Sequence, residues 1–195
     1  MDKEIITAIA IGIGLSASCG FRVFVPMLVA SIAAKMGIFQ VHEGFTWIAS
    51  WPAIFCFGTA TVAEILAYYV PFVDNLLDTI TTPMAVGAGT LLMTSVLPID
   101  NDMLKWITGF IVGGGTAATI QGGSVLTRLA SSKFTAGTGN AVVATGEHAA
   151  AFGTSALSLF LPLIIAALVF LLVLYLLLKF GKRLFNLSKR KAATN

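Results

Sequence analysis

The chain has 195 residues, 57% of them hydrophobic and 11% charged, with a mean hydropathy of +0.91. Soluble domains carry about 25% charged residues, and outer-membrane barrels show short alternating strands; neither pattern is present. The net charge of +3 comes from one end of the chain, where Lys179, Lys182, Arg183, Lys189, Arg190 and Lys191 follow the last apolar run, and it carries no nucleic-acid signature.

In chain order, Met1-Asp-Lys-Glu lacks the positive region of a signal peptide, and the apolar run after it is too long for one. That run, Ile5–Ala34, is interrupted only by Arg22. As one helix it would be about 45 Å long, more than a bilayer core. Gly14, Ser18, Arg22 and Pro26 recur every four residues, which predicts one small, polar helix face; Pro26 can also break the helix there. Val41–Ser50 reads as an interfacial turn, with Trp47 and Trp51 suited to the headgroup level. Ser50 before Pro52 predicts a helix start, and a second span then reaches about Tyr69. Pro71 and Pro83 are expected to end or kink helices, and Asp74 is placed to cap the third.

The third span continues to about Leu97, and Pro98–Asp102 reads as a short acidic turn. Gly109 and Gly113, extended by Ala117 and Gln121, give the fourth span (Met103 to about Thr127) a small-residue face that lets helices approach closely. Gly122–Thr145 is rich in Gly, Ser and Thr and reads as an external loop or a segment dipping back into the protein. Within it, Thr135–Glu147 is either an N–H cradle for an anion or a plain loop with a helix cap. Glu147-His148 then opens a long apolar run to Leu178, interrupted by Pro162, which is one kinked helix or a hairpin of two.

The expected architecture is therefore all-α: a polytopic transmembrane bundle of about five to six segments, with broken helices. It would form a single membrane domain over residues 1–180, followed by a basic cytoplasmic tail, 181–195. Asp74-Asn-Leu-Leu-Asp-Thr echoes Asn140-Ala-Val-Val-Ala-Thr, and the same offset relates Ala85 to Ala151, Gly87 to Gly153 and Leu91 to Leu157. This weak two-fold repeat would divide the domain into halves 1–98 and 99–180.

Glu64, Asp74, Asp78 and Glu147 lie in or beside stretches that otherwise read as lipid-buried, and Arg22 sits in the first apolar run. Charge at bilayer depth is costly and persists when paired, water-facing or functional. The spacing of Glu64, Pro71, Asp74 and Asp78 puts the acids on one side if the region is helical or gently kinked. Carboxylates in such surroundings can exchange protons or ligate a cation; Asp74 and Asp78 also fit helix caps at the membrane edge. Arg22 is expected to pair with one of these acids, to recognise an anion, or to reach an interface. Asn140, His148 and Arg128 are secondary candidates. No Ser-His-Asp set, H-E-x-x-H step or Cys/His cluster is visible, so neither an enzyme, a resident metal nor a cofactor is expected. Cys19 and Cys56 read as buried small hydrophobes.

Gly20-Phe-Arg-Val-Phe-Val-Pro26, Tyr69-Val-Pro-Phe-Val-Asp-Asn-Leu-Leu-Asp-Thr-Ile-Thr-Thr-Pro83 and Gly139-Asn-Ala-Val-Val-Ala-Thr-Gly-Glu147 resemble a bacterial membrane family catalogued as domain of unknown function 4126. The resemblance implies a small polytopic inner-membrane protein and supplies no activity.

The functional expectation is a small transporter or channel-like protein whose pathway runs between the first helix and the Glu64–Asp78 segment, with Glu147 gating or coupling from the second half. The four carboxylates outnumber Arg22 and Arg128, which favours a cation or proton as the coupling ion; Arg22 leaves a lipid or phosphorylated solute open. The alternative is a non-transporting scaffold or partner subunit whose ion pairs only specify packing. Expected partners are membrane lipids, a small ion or solute, and a second copy docked through Gly-rich faces.

Overall fold

A computed structural model describes residues 2–70, 73–135 and 139–192; the side chains of 2, 73–76, 78 and 182–192 lie outside the described residues. All the described regular structure is helical.

Helix α1 (Asp2–Cys19) and α2 (Phe24–Lys35) replace the single helix expected over Ile5–Ala34. The break at Gly20–Val23 has two causes. Pro26 would clash with the carbonyl four residues back in a continuous helix, but it is tolerated in the first turn of α2. Gly20 lies so close to the helix that carries Ala117 that a Cβ there would be 2.6 Å from the Ala117 carbonyl. Gly14, Ser18, Arg22 and Pro26 therefore do not share one helix face. Helix α2 ends where Gly37 adopts φ 71°. The Ile38 and Gly37 amides then donate back to Ala33 and Ala34, the paired bonds of a Schellman stop.

A 3₁₀ turn (Glu43–Ala49) leads into α3 (Trp51–Ala67). As expected, Ser50 caps α3, its hydroxyl accepting from the Ala53 amide at 3.2 Å, with Pro52 in the first turn. Ser50→Ala should cost about 1 kcal/mol, read as a lower melting temperature in detergent. Helix α4 (Val73–Val96) continues through Pro83, so that proline does not end a helix. Pro71 lies outside the described residues. Because α4 returns alongside α1 instead of continuing α3, Glu64 and Asp78 do not share a helix face.

Helix α5 (Asp102–Thr108), capped by Asn101, passes through a π segment (Gly109–Gly114) into α6 (Gly115–Thr135). Gly122 and Gly123 thus lie inside a helix, and of the loop expected over Gly122–Thr145 residues 122–135 are helical in α6 and residues 140–145 in α7 (Asn140–Phe160), while 136–138 lie outside the described residues. Close Gly packing is what holds α6 to its neighbour: a Cβ on Gly89 would sit 2.8 Å from the Gly113 carbonyl. Leu161 breaks the last apolar run, and α8 (Pro162–Ala192) follows.

Contacts fix the directions. Ser16 on α1 donates to the Gly89 carbonyl of α4 at 2.8 Å, and Gly12 lies against Met93 and Val96, so α1 and α4 are antiparallel. Phe24 meets Glu64 while Leu28 approaches Gly58, so α2 opposes α3. Gly109 lies by Thr94 and Gln121 by Thr81, so α5–α6 oppose α4. Gly14 touches both Ser158 of α7 and Ile165 of α8, and Gly123 touches Leu176. The start of α1 and the end of α8 consequently lie at opposite ends of the bundle. Two broken-helix hairpins enter from these ends. The α1–α2 turn stops opposite Glu147, about two turns inside α7, and the α7–α8 turn stops near Gly14, about three turns inside α1.

The interior combines an apolar cluster (Ile11, Leu15, Cys19, Met27, Phe57, Leu92) with many buried Ser and Thr and several charges. The exterior is apolar: Phe55, Leu66, Ile111, Phe152, Phe170 and Leu178 are exposed. Cys19 is buried as expected, but Cys56 is exposed on the outer face of α3. Within α8, Pro162–Gly181 is long and apolar enough to cross a membrane. The pair Glu43–Ala49 and Trp51–Ala67 also passes when taken together across its 60° bend. Five to six such spans are not found among the described residues: the broken runs give shorter helices, and α4 and α6 carry inward-facing Thr, Ser, Gly and Gln.

Candidate functional site: a buried arginine–glutamate cluster

The turn after α1, the second halves of α3 and α6, and the first half of α7 converge on one cluster. Ser124 and Arg128 lie one turn apart on α6, and Ala144, Glu147 and His148 lie within about a turn on α7, so each pair of neighbours shares a face. Glu147, 6% exposed, accepts from Arg22 Nη2 at 2.8 Å and from Arg128 Nε at 3.1 and 3.2 Å. It also accepts from Arg128 Nη2 and the Ser124 hydroxyl. Arg22, 2% exposed, further donates to the Phe21 carbonyl at 2.9 Å, the Ala144 carbonyl at 3.4 Å and His148 Nδ1 at 2.9 Å.

Both guanidiniums lie over the Tyr68 ring, Arg22 at 3.7 Å and Arg128 at 4.2 Å from its centroid. A guanidinium is too costly to bury alone. Here the shared carboxylate, the carbonyls and the electron-rich ring face together replace its water. Because Arg22 Nε is always a donor, His148 Nδ1 must be an acceptor, which places the ring proton on Nε2. That Nε2 is buried without a hydrogen-bond partner among the described residues.

Glu64 is placed differently from its expected role. Its carboxylate, on the buried face of α3, accepts the Val23 and Phe24 amides at 2.9 and 3.0 Å. It satisfies two of the orphan donors at the start of α2 and complements that helix's dipole. Glu64→Gln replaces one acceptor oxygen with a donor and leaves an amide unpaired. We expect a loss of about 1–3 kcal/mol, measurable as a lower melting temperature, with Glu64→Asp also failing to reach both amides.

Of the other expected residues, the side chains of Asp74 and Asp78 lie outside the described residues; Asp74 falls just inside α4, beyond the capping position. Asn140 opens α7 and exchanges hydrogen bonds with Ser132, tying the α6 end to α7 away from the cluster. The backbone amide of Gly139, before it, is taken by the Thr135 hydroxyl at 2.9 Å. Glu147 and His148 sit in the body of α7 and do not open it.

Sequence reasoning missed Tyr68, Ser124 and a third buried cation, Lys105. Lys105 is 1% exposed and contacts Asp102 Oδ1 at 3.1 Å and His42 Nε2 at 2.9 Å. Its signal was the Asp102–Lys105 spacing on one helical turn. Among the described residues no group of three His, Cys, Asp or Glu is placed to hold a metal.

A cleft of about 300 Å³ opens between α6, α7 and α8 and reaches Ser124 and Glu147; Phe21, Ile120, Leu172 and Leu176 are among its apolar walls. A second, of about 490 Å³, lies between the start of α1 and Ile38–Gln40.

Comparison with curated proteins and with solved structures finds no match. Residues 9–181 match the family described as Domain of unknown function (DUF4126), and the chain belongs to that family.

Proposed function

We propose that this is a polytopic inner-membrane protein that acts as a small transporter or channel-like protein, with Arg22, Arg128 and Glu147 at its centre. Its polarity supports a bilayer setting: large apolar side chains are exposed along the helices while Arg22, Glu64, Arg128 and Glu147 are buried, the arrangement that hydrocarbon solvent requires. The aromatic residues support it as well. Trp47 and Trp51 are exposed at one end of α3 and Tyr69 at the other, about 27 Å apart along a helix of that length, close to the thickness of the hydrocarbon core. In this setting α1 to α8 supply more spans than length and hydropathy alone identify, because hairpins and inward-facing polar residues dilute the apolar signal. The basic residues in the last part of α8 orient its end to the cytoplasm, and the start of α1 then faces the periplasm.

The observation that carries transport is a carboxylate shared by two buried guanidiniums at the foot of a cleft, beside a helix break. Broken helices that meet inside a bundle are where transporters hold their substrates. The buried acids Glu64 and Glu147 are already matched by donors, Glu147 by arginines and Glu64 by amides, which argues against a metal cation and leaves a proton as the coupling ion we infer. The scaffold reading keeps one specific support: the cluster is densely paired. Its expected docking face is weakened, because Gly89, Gly109 and Gly113 are filled by packing within the chain.

Reconstituted vesicles carrying an internal pH dye test this reading. An imposed proton gradient should dissipate faster with protein than without it, and Glu147→Gln should slow the dissipation. Vesicles as tight as protein-free controls across carboxylate, phosphate and cation gradients would leave the scaffold.

A further inference from the structure

Four donors converge on the Glu147 carboxylate: Arg22 Nη2, Arg128 Nε and Nη2, and the Ser124 hydroxyl. They come from the α1–α2 turn and from α6, elements that also pack on α3, α4 and α8. The constellation is that of an oxyanion receptor, with planar guanidiniums matched to a two-oxygen anion. The receptor is not sealed. The cleft between α6, α7 and α8 ends on Ser124 and Glu147, and Phe21, Ile120, Val143 and Leu176 make its walls apolar. Leu172, at 41% exposure, stands at the cleft, on a helix whose other faces are largely exposed and apolar.

We propose that Glu147 is a tethered anion occupying a binding site for the oxyanion head of an amphiphile, whose apolar chain lies in the cleft. This rests on the membrane reading above and names its ligand class. The incoming head meets Ser124 and Glu147, which line the cleft, and takes the donors of Arg128 behind them as the Glu147 side chain swings away. Glu147 thus competes with the ligand, and its removal strengthens binding. Arg22, Arg128, His148, Tyr68 and Glu64 are the ionisable groups around the site, and Glu147 bridges both arginines.

The test is equilibrium binding of labelled decanoate to the full-length protein in nanodiscs, with acetate, inorganic phosphate and decanol as competitors. Glu147→Ala should bind decanoate at least about tenfold more tightly than the parent, the effect of removing roughly 1.4 kcal/mol of competition. Acetate and phosphate, which lack the chain, and decanol, which lacks the charge, should compete poorly. Gly146 lines the cleft with open space around it, so Gly146→Leu in the Glu147→Ala background should abolish the gain by filling the cleft. If Glu147→Ala does not fold, Glu147→Gln removes the charge with the shape kept, and the same gain is expected. Unchanged affinity in the foldable variant would overturn the proposal. So would equal competition by decanol, acetate as effective as decanoate, or indifference to Gly146→Leu. Binding is measured without flux, so absent transport would remove the transport reading alone.

Discussion

Arg22→Leu is expected to destabilise the protein by about 3–5 kcal/mol, the usual cost of breaking a buried ion pair from one side. The loss comes from both partners. Glu147 keeps Arg128 but loses a charge-assisted bond, while His148 Nδ1 and the Phe21 and Ala144 carbonyls lose their donor. Each stranded acceptor adds to the cost in a low-dielectric interior. Arg22→Lys separates charge from shape. A lysine restores one cation, but it has neither the fork to reach Glu147, His148 and two carbonyls together nor the plane to lie on Tyr68. Its melting temperature should fall between the parent and Arg22→Leu. Combining Arg22→Leu with Glu147→Gln should cost less than the sum of the single changes, because both remove the same contact. Exact additivity would mean that the pair is not coupled.

Arg22 was legible because a single charge in a thirty-residue apolar run demands a partner, and Glu147 is that partner. The Ser50–Pro52 start of α3 was legible because capping depends on neighbours in sequence. What failed depends on neighbours in space. Pro26 signals a break near Gly20–Val23, but the approach of Ala117 and the acceptance of two amides by Glu64, which fix the turn there, leave no mark in the local sequence. The sequence marks Glu64 as a pathway residue or half of an ion pair; a carboxylate is satisfied equally by the start of a helix, and no spacing rule places residue 64 against residue 23. Gly122–Thr145 looked like a loop from its glycines. Those glycines cost α6 little where packing on α4, α7 and α8 carries the helix. Lys105 was passed over because its partner His42 is distant in sequence.

The Gly-x-x-x-Gly step was read correctly as a packing face, and it supports the sharpest stability contrast in the chain. Gly113→Leu should prevent correct assembly of the bundle, and Gly113→Ala should already cost about 1–3 kcal/mol by overpacking. A Cβ on Gly113 runs into the Gly89 carbonyl and the Met93 Cβ. The first is backbone, so the only relief is to push α4 away from the π segment along their most intimate contact. That displacement would open the seam further along, where Thr90 meets Gly114 and Thr94 meets Gly109. Gly115, two residues on, is exposed, with nothing within 4 Å of its Cβ position. Gly115→Ala should therefore raise stability by up to about 1 kcal/mol through helix propensity alone. The two substitutions add the same methyl group to the same helix. If their melting temperatures in detergent moved together, the α4–α6 seam would not be the contact described. If they moved in opposite directions, the cost at Gly113 would belong to the seam, and the register that sets Arg128 opposite Glu147 would rest on it.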